Sequence, residues 1–206
     1  MELVEACHAL AAAGLVVGTS GNVSVRDGDR VLLSPTGVAL AELTADNVAV
    51  VTLDGEVLSG APTSELELHL AIYGRYDAGA IVHTHAPRAT AVACVADELP
   101  VIHYQLLGMG GAIRVAPFAP FGTAELASAV CAALDGRRAA LLANHGAVSY
   151  GATLAQALER AVVLEWACGV YLDAARVGTP RVLDEHQLAA VQVSAARHGY
   201  RSLLAE

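Results

Sequence analysis

The chain is 206 residues long, the size of one ordinary domain, and no shift in composition marks a linker, so a single domain over 1–206 is expected. A net charge of −9, with twelve scattered cationic residues, excludes a nucleic-acid surface, which needs clustered cations; the scarcity of phenylalanine and tryptophan excludes a stacking platform for bases. Hydrophobic residues make up 55% of the chain, but glycine, proline or charge interrupts every apolar run before it reaches membrane-spanning length.

In chain order, residues 3–13 form an Ala- and Leu-rich helix that "AAGLVVGTSGN" ends in glycines. Short strands follow at Asn22–Arg26, Arg30–Ser34, Val48–Leu53 and Glu56–Leu58, with Asp-Gly hairpin turns at "DGD" and "LDGE". The period then changes: Leu66, Leu70 and Tyr73, or Leu68, Ile72 and Tyr76, stand at helical spacing behind a Thr63-Ser64 cap, which predicts a helix over about 64–76. Next come a strand at Ala80–Thr84, a helix from Pro87 to about Ala96, a strand near Ile113–Val115, a helix at Thr123–Leu134 and a strand at Ala139–Ala143. A long helix from Leu154 to about Ala175 and a C-terminal helix from Asp184 to about His198 complete the chain. The alternation predicts an α/β fold: one layered α/β/α domain with a central, mostly antiparallel sheet flanked by helices.

Glu2 and Glu5 stand where a secretory signal carries cations, and the four cysteines (Cys7, Cys94, Cys131, Cys168) are far apart with no C-x-x-C pair. They read as reduced, buried small hydrophobes in a cytoplasmic protein.

Chemistry enters at "IVHTHAPRAT". Residues i and i+2 of a strand share a face, so His83 and His85 project together and their nitrogens can converge on one ion. Alone, the pair equally fits two imidazoles with backbone partners. "ALLANHGAV" adds His145 at another strand-to-turn junction, and three histidines with an open position suit a catalytic rather than a structural zinc. His103 is an alternative ligand, whereas His8, His69, His186 and His198 fall on predicted helices as surface or packing residues. Glu65 is either a first-turn carboxylate that complements the helix dipole or a general base beside the metal. Three clusters, "GTSGN", "SPTG" and "PTS", read separately as turns; together they offer hydroxyls, an amide and a helix N-terminus suited to a phosphate dianion. Walker and dinucleotide-binding glycine patterns are absent from the sequence.

The ordered set "GTSGNVSVR", "SPTG", "PTSE", "IVHTHAPRATAVA", "IHY", "APFAPFGT" and "LLANHGAV" resembles the class II aldolase/epimerase family over nearly the whole chain. The resemblance implies that His83, His85 and His145 bind zinc, although three imidazoles accept other divalent ions, and that Glu65 is the catalytic glutamate. It further implies a phosphate pocket of Gly21, Asn22, Thr36, Gly37, Thr63 and Ser64, with Thr63 in place of the usual serine. Tyr104 matches a tyrosine that reaches a neighbouring subunit's site, Phe121 an aromatic near the aldehyde, and the assembly expected is a four-fold symmetric homotetramer with sites between subunits. One departure is at the tail: the family's Tyr-Gly pair aligns with His198-Gly199, and Tyr200 follows. His198 and Tyr200 therefore stand where the aldehyde end is selected.

The implied reaction is reversible cleavage of a ketose 1-phosphate, L-fuculose 1-phosphate or a 5-deoxypentulose 1-phosphate, to dihydroxyacetone phosphate and an aldehyde. The chain contains no lysine, so an imine route is closed. On the same fold, sugar-phosphate 4-epimerases typically carry Asp at the Glu65 position, methylthioribulose-1-phosphate dehydratases keep Glu there, and adducin-like interaction modules lack the metal residues.

Overall fold

In the computed structural model, which describes residues 3–200 and Leu203, strand alternation builds two cores from one sheet. The elements are α1 (Leu3–Ala12), β1 (Asn22–Asp27), β2 (Arg30–Leu33), β3 (Ala49–Thr52), β4 (Val57–Ser59), α2 (Leu66–Arg75), β5 (Ala80–Thr84), α3 (Pro87–Ala93) and β6 (Glu98–Leu99). They continue as β7 (Ile113–Ala116), α4 (Ala124–Ala133), β8 (Ala139–Leu142), β9 (Gly146–Gly151), α5 (Leu154–Val177) and α6 (Glu185–His198). The nine strands lie in the order β4-β3-β2-β1-β5-β9-β8-β7-β6. Only β7 and β8 run parallel, so the sheet is mostly antiparallel as expected.

Ala80, Val82, Ala139, Leu141 and Ala147 point to one face, where Leu10, Val92, Leu164 and other residues of α1, α3 and α5 cover them. Ile81, Ala140, Leu142 and Val148 point to the other, against Leu68, Ile72, Leu126 and Val130 of α2 and α4. Covering on both faces explains why β5, "AIVHT", is buried at every position and reads as a continuous run rather than as an alternation. Among the described residues no helix is long and apolar enough to cross a membrane.

Several expectations need correction. Gly146–Gly151 is a strand, and a central one between β5 and β8. Its terminal glycines resemble turn punctuation, yet its backbone needs a partner on both sides once β5 and β8 are in place. β6 is only two residues long and shares too few contacts to leave a sequence pattern. Helix α2 begins at Leu66, so Glu65 is its N-cap rather than a first-turn residue, and Glu65 makes no side-chain cap bond. Helix α3 ends at Ala93, and the cysteine that follows it, Cys94, is exposed, unlike Cys7, Cys131 and Cys168.

Candidate active site

Four side chains meet where β5, β9 and the start of α2 converge. In the β1–β5 register Asn22 lies directly opposite His83, and Ser24 opposite Ile81, so Asn22, Ser24 and His83 share the sheet face that α2 covers. His83 is on the last turn of the strand's pleat and fully buried; His85 stands just beyond the strand end, and buried Thr84 points to the opposite face. His145 lies in the tight turn from β8 to β9, where Asn144 takes φ 55, a left-handed conformation that asparagine tolerates. The three imidazoles form a triangle with ring centroids 4.7–4.9 Å apart and planes at 73–82° to one another.

Close approach of two backbones makes this geometry, and Gly146 permits it: a Cβ there would stand 2.2 Å from the Thr84 carbonyl oxygen. Both chains are locked in the sheet, with Thr84 paired to Ala147, so neither can retreat. Gly146→Ala is therefore expected to destabilise the fold by about 1–3 kcal/mol through overpacking and to lower the melting temperature by several degrees. Metal affinity should fall with it, since both flanking histidines shift; a melting point and metal content equal to wild type would show the contact to be unimportant.

The donor set can be tested against a cation from its hydrogens. His83 Nδ1 lies 2.9 Å from the Ala147 carbonyl oxygen, an acceptor, so Nδ1 carries the proton and a neutral ring presents a lone pair at Nε2. That lone pair faces Glu65 Oε2 at 3.0 Å and His85 Nε2 at 3.0 Å, and His145 Nε2 is 3.4 Å from Glu65 Oε1. Glu65 Oε1 is buried and accepts no hydrogen bond. Lone pairs pointed at one another inside a protein repel unless a cation lies among them. The ligand atoms of Glu65, His83, His85 and His145 all lie within 4.8 Å of one another, which fits a divalent metal. Burial holds the His85 ring down to about 4, reinforced by His83 and His145, and lowers His145 similarly; both rings are thus neutral ligands at neutral pH. Burial by itself raises Glu65, whereas positive charge on the side of His83 and His145, which an ion held there would supply, lowers it together with the Asn22 amide.

The cluster opens into a cleft of about 570 Å³. One wall carries the three small-residue segments: Gly21 and Asn22, Thr36 and Gly37, and Thr63 and Ser64 all line it. A bridge between Pro35 and Pro62, and a bond from Thr36 N–H to the Ala61 carbonyl, hold two of these segments side by side. No lysine or arginine lines the cleft among the described residues, so its anion-binding capacity comes from hydroxyls, amides and the N-terminus of α2. A second wall segment is Phe118 to Phe121, in which both phenylalanines are exposed. Gly122 (φ +70) joins that wall to Ser64, because a Cβ there would meet the Ser64 carbonyl oxygen at 2.7 Å. A larger cleft, of about 720 Å³ and bordered by Arg137, Tyr150 and Arg160, contains none of the clustered ligands.

Of the remaining expected site residues, Tyr104 lies outside the cleft, half-exposed on a short 3₁₀ helix at Tyr104–Met109 and close against His103, whose ring meets Trp166. His198 ends α6, and Tyr200 follows it, exposed; neither borders the cleft of the single chain. His69, expected as a surface or packing residue, is instead fully buried and hydrogen-bonded to Ser24 and Asn22. A signal for it was present: Glu65, His69 and Tyr73 fall at i, i+4 and i+8, one polar stripe on α2, opposite Asn22 and Ser24 on alternate positions of β1.

A buried cluster of three imidazoles and one carboxylate beside a neutral anion cradle, at the edge of a layered α/β/α domain, defines a metal-dependent carbon–carbon lyase of the class II type. The chain belongs to the class II aldolase family: residues 1–172 match the family described as "Class II Aldolase and Adducin N-terminal domain". It is 38% identical over 189 residues to a 5-methylthioribulose-1-phosphate/5-deoxyribulose-1-phosphate aldolase of Rhodospirillum rubrum, covering 90% of this chain and 86% of that one. It is 37% identical over 204 residues to the L-fuculose phosphate aldolase of Escherichia coli K12, covering 97% and 95% of the two chains. A solved L-fuculose 1-phosphate aldolase superposes with a TM-score of 0.88 at 34% identity, covering 96% of this chain and 94% of that one.

Proposed function

We propose that this protein is a zinc-dependent aldolase that cleaves a ketose 1-phosphate reversibly to dihydroxyacetone phosphate and an aldehyde, and that its preferred ketose carries no hydroxyl beyond C4. The observation that carries this reading is the mixed lining of the cleft, which combines neutral hydroxyls and amides, two exposed phenylalanines and members of the ligand cluster. The hydroxyls and amides suit a phosphate dianion. The phenylalanines offer no hydrogen-bonding side chain to the far hydroxyls of a fully oxygenated sugar but favour a methyl or thioether tail by apolar contact. Similarity to the Rhodospirillum rubrum enzyme supports the same choice.

His83, His85 and His145 hold the ion, which when bound acts as a Lewis acid that stabilises negative charge left on the dihydroxyacetone phosphate fragment. Gly21, Asn22, Thr36, Gly37, Thr63 and Ser64 fix the phosphate, and that remote binding energy orients the carbon chain in the cleft. In cleavage the C4 hydroxyl proton leaves to solvent by way of Tyr104, the C3–C4 bond breaks with its electron pair left on the C3 side, and Glu65 takes up a proton from solvent and delivers it to C3, so that no net proton is gained or lost. In synthesis Glu65 takes that proton back. Phe121 borders the aldehyde, and His198 and Tyr200 contribute to its selection from the tail. Tyr104 exchanges the proton on the aldehyde oxygen in a neighbouring subunit, within a homotetramer in the cytoplasm. The exposed position of Tyr104 outside its own cleft supports a role in trans.

Offering 5-deoxyribulose 1-phosphate, methylthioribulose 1-phosphate and L-fuculose 1-phosphate separately to the metal-loaded protein tests this directly. Dihydroxyacetone phosphate is expected from all three, with kcat/KM higher by about 10-fold or more, the scale of one apolar contact, for the two substrates that carry no hydroxyl at C5. Preference for L-fuculose 1-phosphate would overturn the tail assignment; a dehydrated ketone without dihydroxyacetone phosphate would overturn the aldolase.

A further inference from the structure

Behind the ligand cluster runs a buried chain of hydrogen bonds that the reaction itself does not use. Tyr73 hydroxyl lies 2.8 Å from Ser24 Oγ, Ser24 Oγ 2.7 Å from His69 Nδ1, His69 Nε2 2.5 Å from Asn22 Oδ1, and Asn22 Nδ2 2.9 Å from Glu65 Oε2. His69 and Ser24 are fully buried, and Asn22, Glu65 and Tyr73 nearly so.

The directions of these bonds follow from their ends. Glu65 is a carboxylate and only accepts, so the Asn22 amide must turn its nitrogen toward it and its oxygen toward His69. His69 Nε2 must then carry the proton. A neutral ring leaves the lone pair on Nδ1, which accepts from the Ser24 hydroxyl, and Ser24 Oγ in turn accepts from Tyr73. Every donor along the chain points toward Glu65, and bonds aligned this way polarise one another.

We propose that His69 is a positioning residue for the reaction: as its Nε2–H tautomer, with Nδ1 occupied by the Ser24 hydroxyl, it locks the Asn22 amide and thereby fixes which Glu65 oxygen Asn22 holds. Oε2 is held by Asn22, whereas buried Oε1 accepts no hydrogen bond and is the oxygen that exchanges the substrate proton. With His69 absent, the Asn22 amide can rotate, the carboxylate loses its fixed donor, and Oε1 no longer presents its lone pair in one direction. The proposal rests on Glu65 as the proton-exchanging group. It adds a residue that touches neither substrate nor metal.

The first measurement does not depend on turnover. In the metal-loaded protein labelled with ¹⁵N, long-range ¹H–¹⁵N correlations of the His69 ring, identified by their loss in His69→Gln, should show a neutral ring protonated at Nε2, and Ser24→Ala should keep that tautomer while shifting the Nδ1 resonance that loses its donor. A charged ring, or one protonated at Nδ1 in the wild type, overturns the proposal. The second measurement is kinetic. Glutamine at 69 sets an amide N–H near the place of Nε2 and keeps the bond to Asn22; asparagine, one methylene shorter, reaches only the place of Nδ1 and loses it. His69→Asn should lower kcat by about 10–100-fold with KM and bound metal unchanged, and His69→Gln should restore most of the loss. Equal impairment of the two variants, or none in either, marks His69 as mere packing and overturns the proposal. If His69→Asn does not fold, Ser24→Ala, a small change at a buried site, carries the test: its kcat should fall without a change in KM, and wild-type kcat sinks the idea. A wild-type protein that releases no dihydroxyacetone phosphate from any ketose 1-phosphate refutes the functional reading instead, and the tautomer still decides the relay.

Discussion

Replacing Glu65 with glutamine is expected to lower kcat by about 10²–10⁴-fold, the range that a positioned general acid–base supplies, while the protein stays folded and retains its metal. The shape of the side chain is conserved, so the N-terminus of α2 and the wall of the cleft stay in place. The amide oxygen still accepts from Asn22 Nδ2, now 2.9 Å from Glu65 Oε2, which keeps the substituted side chain oriented. What disappears is the basic Oε1, which accepts no hydrogen bond and lies 3.4 Å from His145 Nε2. Three imidazoles remain to hold the ion, and burial keeps His85 and His145 neutral; Glu65 opposes that effect, so removing its charge leaves both rings neutral. Two readouts are needed together: release of dihydroxyacetone phosphate from the ketose, and elemental analysis of bound metal. Exchange of solvent deuterium into dihydroxyacetone phosphate should fall in parallel with kcat, since the same oxygen takes that proton. Undiminished turnover and exchange in a metal-replete Glu65→Gln protein would remove Glu65 from its role.

His83→Ala should have the other large effect, and of a different kind: loss of metal, activity and part of the stability at once. His83 is fully buried in β5, beside Glu65 and His85, with its Nδ1–H on the Ala147 carbonyl. Its removal takes away a ligand, opens a void in the middle of the sheet, and deprives the Ala147 carbonyl oxygen of the His83 donor. An unmet buried acceptor alone costs about 1–3 kcal/mol. Loss of an outer partner of a ligand typically weakens metal binding by about 10–100-fold, and loss of the ligand itself should exceed that. Thermal unfolding gives a readout apart from activity. A metal that binds only the folded state raises the melting temperature, so a chelator should lower it for wild type and leave His83→Ala unmoved. A metal-replete, fully active His83→Ala protein would overturn the ligand set.

The two predictions differ in how far the sequence alone supported them. His83 and His85 were legible because a strand repeats every two residues: whatever the rest of the fold, two histidines flanking Thr84 in "IVHTH" face one way. His145 was legible as a polar residue at the end of an apolar strand. The hydroxyl and amide clusters were visible as types, and the order of all these motifs carried the family. Strand β9 was not legible, because Gly146 answers to the Thr84 backbone across the sheet and Gly151 to the residues that start α5. Nor could the sequence choose between the dipole and base readings of Glu65, since both need a carboxylate at the start of α2.

What the sequence by itself determined, then, was everything set by local periodicity and residue type: the helices, most strands, the pair of imidazoles, the absence of a lysine nucleophile and the neutral character of the anion cradle. What only the tertiary structure decided was which residues meet across elements. The register that sets Asn22 opposite His83, the placement of α2 over β1 that buries His69 between Ser24 and Asn22, and the backbone contact at Gly146 each join residues far apart in the chain. Such pairings follow from how whole faces pack, and the same helix with its polar stripe turned to solvent would satisfy every local rule. Packing turned that stripe inward, and so made a carboxylate with one oxygen held by the Asn22 amide.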